Sequence, residues 1–177
     1  MTLAFVKTEA RGQTDLLLAA FAEHLQKQGK RLCGVVQTNT DCADTELCDM
    51  DVRVLPDGPV FRISQSLGTG SRGCRLDPTA LEQAVAHVSP MLTGAADLKP
   101  DLMIVNKFGK HEADGRGFRP LIAEAMMADI PILTAVNKTN EAAFRDFSGG
   151  MAQCLPAQLP ALKDWFEQIH SSVKIAV

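Results

Sequence analysis

Three stretches of this chain combine glycines, cations and polar side chains at close spacing: "KTEARGQT" (7–14), "GTGSRGCR" (68–75) and "NKFGKHEADGRGF" (106–118). Glycines let successive backbone N–H groups turn toward one point, which makes an anion-binding concavity. Arginine adds fork-shaped donors that match oxyanions. With the flanking Asp77 and Arg119 included, the three stretches carry a net charge of +4 inside a chain whose formal charge is −3. Loops that gather positive charge in this way attract an anion if they share one edge of the fold. The chemistry on offer is recognition of a phosphate-like group.

Position by position, residues 7–14 follow the phosphate-binding pattern Gly-x-x-x-x-Gly-Lys-Ser/Thr in length and context. Gly12 stands at the second glycine and Thr14 at the hydroxyl that would bind magnesium. Lys7 replaces the first glycine, and Gln13 replaces the lysine. A neutral amide donates a hydrogen bond but brings no charge to an outer phosphate; Lys7 or Arg11 could compensate from another direction. The run Leu102–Val105 reads as the buried strand that, in phosphate-loop enzymes, ends in a magnesium-holding aspartate. Asn106 occupies that place here, and Lys107 follows where an acid would position water. An amide is a poor substitute for a magnesium ligand, and a lysine repels the ion. Glu112 and Asp114 could take over from the loop, or be solvated surface charge. Lys107 and Glu112 are the catalytic candidates, and Thr14 is a metal candidate.

These loops need strands and helices to hold them. Residues 3–6 predict a short buried strand, and 15–28 carry apolar residues at helical spacing up to Gly29. A second strand is predicted over 32–36, which completes a strand–loop–helix–strand unit. Residues 50–55 alternate, Pro56-Asp57-Gly58 signals a turn, and 60–64 return as a hairpin strand. Asp77 and Pro78 suit the N-cap and first position of a helix. A greasy strand breaks off at Asn106, a helix follows near 119–127, then a strand over 130–136 and helices near 141–147 and 158–170. The expected fold is a three-layer α/β domain spanning 1–177, with a mainly parallel core sheet flanked by helices and a small antiparallel hairpin insertion.

Taken together, "GVVQ" (34–37), "LCDMDVRVL" (47–55), "ISQSLGTGSRGCRLDP" (63–78), "IVNKFGKHEADGRGFRPLIAEA" (104–125) and "PILTAV" (131–136) resemble a bacterial family of unknown function. Its members are often labelled as molybdenum-transporter ATP-binding-like proteins. The chain is also distantly similar to small phosphate-loop nucleoside-triphosphatases. The resemblance implies a phosphate-loop-NTPase-like fold with its site at these loops. It gives weight to Cys48, Asp49, Arg72, Cys74 and Arg75, which lie in the shared motifs. Cys48 and Cys74 could meet across the hairpin, either as a soft-metal pair or as packing.

The ligand-holding residues expected from these readings are Lys7, Arg11, Gly12, Gln13, Thr14, Gly68, Gly70, Ser71, Arg72, Arg75, Asn106, Lys107, Gly109 and Lys110. The expected ligand is ATP or another nucleotide, or a molybdate-like oxyanion. The leading expectation is a degenerate phosphate-loop domain that binds such an anion, linked to molybdate transport or use. The alternatives are a magnesium-dependent nucleoside-triphosphatase with relocated residues, and a regulatory adaptor. "VNKTN" (136–140) resembles a guanine-reading motif, but Asn140 replaces the aspartate that would grip the base.

The net negative charge argues against a general nucleic-acid binder. No run of eighteen apolar residues predicts a membrane span, and the N-terminus lacks the order of a signal peptide. These features read as a cytoplasmic protein whose five cysteines, without a Cys-x-x-Cys, are thiols. "FEQIHSSVKIAV" (166–177) offers an apolar end that could pack on a second copy.

Overall fold

Apolar side chains on both faces of the central strands require cover on both sides, and the fold supplies it. The computed structural model describes residues 2–7, 12–40, 49–65, 75–93 and 99–173. Arg11, Cys48, Gly68, Gly70, Ser71, Arg72 and Cys74 lie outside them.

The strands are β1 (Leu3–Val6), β2 (Leu32–Thr40), β3 (Asp49–Val54), β4 (Val60–Arg62), β5 (Leu102–Phe108), β6 (Ile132–Val136) and β7 (Gln153–Leu155). They form one seven-stranded sheet in the order β4-β3-β2-β5-β6-β1-β7. From β2 to β7 every pairing is parallel. β3 and β4 add the antiparallel hairpin at one edge. The helices are α1 (Gln13–Lys27), α2 (Pro78–Val88), α3 (Lys110–Ala113), α4 (Arg119–Met127), α5 (Glu141–Phe147) and α6 (Leu159–Val173).

Alternation along the strands sorts the core into two layers. Leu3 and Phe5 of β1 face one side with Met103 and Val105 of β5, under α2, α4 and α5 through Leu81, Ile122 and Phe144. Ala4 and Val6 face the other with Leu102 and Ile104, under α1 and α6 through Leu18, Phe21, Leu162 and Trp165. Near-continuous burial of β1, β5 and β6 is what a parallel sheet covered on both faces demands. Cys33 sits in this core, and burial pushes its thiol up to about 12, so it acts as a small hydrophobe. Cys154, on the edge strand β7, is exposed.

Several local signals act as expected. Asp77 caps α2, its side chain accepting from the N–H groups of Thr79 (2.9 Å) and Ala80 (3.2 Å). Asp77→Ala is expected to cost about 1 kcal/mol in urea denaturation; an unchanged midpoint would show that the cap contributes nothing. Several boundaries differ from expectation; the second strand, expected over 32–36, runs to Thr40. β5 does not end at Asn106 but runs to Phe108, through an irregularity in its pairing with β6 between Val105 and Phe108. The cause of this extension is Phe108, which is fully buried and packs edge-on to Phe144 at 5.0 Å and stacked on Phe147 at 5.6 Å.

Candidate functional site

Parallel pairing fixes which loops meet. β1, β2, β5 and β6 run the same way, so Lys7, Gln37, Asn106–Lys107 and Asn137 lie toward one edge of the sheet, in or just past the carboxyl-terminal halves of its strands. β3 begins and β4 ends at that same edge, which puts Asp49 and Ile63–Gln65 there. Open α/β sheets bind their ligands at this edge.

Gly12 introduces α1 with φ 77°, a left-handed conformation that suits glycine, and among the described residues no side chain caps the helix start. Gly12 is the residue expected at the second glycine of the phosphate-binding pattern. Gln13 is exposed, whereas Thr14 is buried.

Behind them lies a polar cluster that sequence reasoning did not assemble. Asp15 of α1, Gln37 of β2 and Asn106 of β5 are all buried. The backbone N–H of Gln37 donates to Asn106 Oδ1 at 3.0 Å. That contact fixes the amide's orientation, so Asn106 Nδ2 faces Asp15 and donates to its Oδ1 at 2.8 Å. Gln37 Nε2 reaches Asp15 Oδ2 at 3.4 Å. β2 pairs with β5 in register up to Val35 and Val105, and this brings Gln37 and Asn106, just past those positions within their strands, side by side. The signal available in the sequence was two apolar strands, each ending in an amide, and an acid directly after Thr14.

The 109–119 loop is organised from within. Glu112 is buried, not solvated, and accepts from the N–H groups of Gly109 (2.9 Å) and Phe118 (3.2 Å). Burial raises its carboxyl above the ordinary value, opposed by those two N–H donors and by the neighbouring His111. Gly117, at φ 59°, passes so close that any Cβ there would collide with Glu112 Oε1. Glu82 of α2 holds the loop from outside: its Oε1 accepts from the Gly117 N–H at 3.0 Å and lies 3.1 Å from His111 Nε2.

Most of the loop cations have partners. Lys7 pairs with Glu141 at 3.1 Å, and Glu141 also takes Arg145; these contacts, Arg145 first, hold its carboxyl below the usual range. Lys110 and Arg116 both meet Asp114, whose carboxyl is lowered chiefly by the Lys110 hydrogen bond. Arg119 lies over the Phe147 ring at 4.8 Å. Arg75 meets Asp49 at 3.5 Å, beside Arg62 and Ser64. Lys107 is exposed and has no ion pair among the described residues. These surface pairs are individually weak. Asn137 and Asn140 form a turn, Asn137 Oδ1 accepting from the Asn140 N–H at 2.9 Å.

The fold class implies magnesium, and the donors here do not fit it. The ion takes oxygen ligands in strict octahedral geometry. Asn106 turns its NH2 group toward Asp15 and commits its oxygen to Gln37. Both Asp15 oxygens accept hydrogen bonds from amides. Among the described residues there is no group of three or more His, Cys, Asp or Glu able to hold a metal.

A concavity of about 1250 Å³ opens at the opposite edge, lined by Lys30, Arg31, Lys99, Asp101, Asp129 and Glu167 among others. Its walls precede the strands and mix both signs of charge. Neither feature favours it over the carboxyl edge as an anion site.

Comparison with known proteins gives a consistent frame. A protein family of unknown function, DUF2478, matches residues 3–165. The molybdenum import ATP-binding protein ModC 2 of Bradyrhizobium diazoefficiens is 36% identical over 160 residues, which cover 90% of this chain and 17% of that protein's length. A human cancer-related nucleoside triphosphatase superposes with a TM-score of 0.65 at 18% identity, over 100% of both chains. THEP1 from the hyperthermophile Aquifex aeolicus does so with a TM-score of 0.61 at 14% identity, over 96% of each. At these identities the structural likeness is one of fold: a three-layer, phosphate-loop-NTPase-like α/β architecture.

Proposed function

We propose that this chain, which belongs to the DUF2478 family of unknown function, binds a nucleotide or small oxyanion at the carboxyl edge of its parallel sheet. The observation that carries the reading is convergence. The left-handed Gly12 turn, the start of α1, Lys7 and the exposed Lys107 all stand at that one edge. Thr14, Gln13, Gly109 and Lys110 belong to the same loops, and Arg75 borders the glycine-rich stretch that carries Gly68, Gly70, Ser71 and Arg72. Arg11 completes the proposed set on the first loop. The likeness to one segment of ModC 2 supports a link to molybdate transport or use.

Isothermal titration with ATP, phosphate and molybdate tests the reading. At least one of them should bind. Lys107→Ala should weaken that binding about tenfold, the worth of one charge-assisted hydrogen bond. Absence of binding by all three, or full affinity in the variant, would count against the site.

A magnesium-dependent nucleoside-triphosphatase built on Thr14, Lys107 or Lys110, and Glu112 is the weaker reading. Glu112 is buried and turned toward the Gly109 and Phe118 amides, away from a role with attacking water.

A further inference from the structure

The mismatch with magnesium has a structural source, and it narrows the ligand. We infer that the site takes a tetrahedral oxyanion carrying no divalent metal, because the carboxylate beside Asn106 stands on α1 at Asp15 and is held there by amides. This rests on the proposed binding at the carboxyl edge and specifies which anions it admits.

In the magnesium-binding arrangement an acid ends the strand and an uncharged hydroxyl opens the helix. Here the neutral Asn106 stands near the carboxyl end of β5 and the acid lies on the helix, one residue past Thr14. The two meet at 2.8 Å, with the amide as donor. The Gln37 N–H holds Asn106 Oδ1 at 3.0 Å, so the amide cannot reverse to offer oxygen without orphaning a buried backbone donor. Gln37 Nε2 lies against the other Asp15 oxygen. The cluster ties α1, β2 and β5 together with hydrogen bonds where an ion would otherwise bridge helix and strand. Lys107, next along β5, is exposed and adds a positive charge that a divalent ion would meet unfavourably. The same charge suits a bare anion. Inorganic oxyanions and nucleoside monophosphates share this chemistry: one terminal tetrahedral group that needs no chelated metal.

The experiment is titration of the native chain with molybdate, inorganic phosphate, AMP and ATP, each in excess magnesium and again in EDTA. Affinity for molybdate, phosphate or AMP should agree within about twofold between the two conditions, and magnesium should not tighten ATP. Binding that magnesium strengthens about tenfold or more overturns the inference and leaves the proposed anion site standing. If none of the four binds in either condition, both fail. The double variant Asp15→Asn/Asn106→Asp returns the acid to the strand end and should acquire magnesium-dependent binding. A folded double variant that stays indifferent to magnesium overturns the assignment to this pair. Molybdate or phosphate binding without AMP marks a free oxyanion as the ligand, and AMP binding alone marks a nucleotide.

Discussion

Asn106→Asp is expected to destabilise the protein by about 3 kcal/mol near neutral pH, although it restores the acid of the magnesium-binding pattern. The replaced group donates to Asp15 Oδ1 at 2.8 Å, inside a cluster where Asp15 and Asn106 are each 3% exposed. Aspartate there puts two carboxylates in contact away from water, and one of them takes up a proton. The introduced carboxyl is therefore raised in the folded state relative to the unfolded chain. Stability linked to a raised group is present below the unfolded value, ~3.9, and is lost as pH climbs through the folded one. Urea denaturation of the variant should approach the native protein near pH 4 and fall away from it toward pH 8. The reciprocal change Asp15→Asn/Asn106→Asp should recover most of the loss, because one acid and one amide again face each other. A variant as stable as the native protein at pH 7 to 8 would mean that Asp15 and residue 106 are not in contact.

Glu112→Ala is the second large effect, about 3 kcal/mol at pH 5. It removes the acceptor for two N–H groups, Gly109 and Phe118, at the two ends of the loop. Phe118 is fully buried and cannot recover its bond from water without opening the core. Glutamine is not a neutral replacement, since both carboxylate oxygens face donors and one would become an NH2 group. The pH dependence has a defined sign. Burial raises the Glu112 carboxyl above its ordinary 4.5, so its proton linkage favours the folded state below 4.5 and this benefit fades as pH rises through the raised value. Native stability should therefore carry a declining component above pH 4.5 that Glu112→Ala lacks. Identical pH profiles for the two proteins would remove the buried carboxylate from the account.

Much of the architecture was legible because it rests on local signals. The strand at 3–6 and the helices at 119–127 and 141–147 coincide with expectation, since their apolar residues recur at strand or helical spacing. Asp77 and Pro78 announced α2 through cap chemistry that acts within a few residues. Other features depend on partners remote in the chain. β7 is a three-residue edge strand held by pairing with β1 and by burial of Leu155, and nothing in Gln153–Leu155 marks it locally. Glu112 reads as surface charge beside Lys110, His111 and Asp114; only the return of the chain at Gly117–Phe118 buries it. The Asp15–Gln37–Asn106 cluster joins three elements separated by up to 91 positions, so no window of sequence contains it. The Asn106 substitution was visible as a lost acid. That an acid waits on the opposite element was not.

The pairing of Asp15 with Asn106 also bears on how residue 106 compares with the magnesium-binding pattern. Asn106 is not simply a missing ligand, since an acid at 106 would conflict with Asp15. The two positions are consistent with each other, and the loops around them keep the glycine turn and an exposed cation.

The most direct measurement is a ¹H–¹⁵N NMR titration of the native chain with molybdate and, separately, ATP. Saturable amide shifts should concentrate at Gly12–Asp15 and Lys107–Gly109, at the carboxyl edge of the sheet. Shifts concentrated instead at Lys30, Arg31, Lys99 and Asp101, around the concavity at the opposite edge, would contradict it.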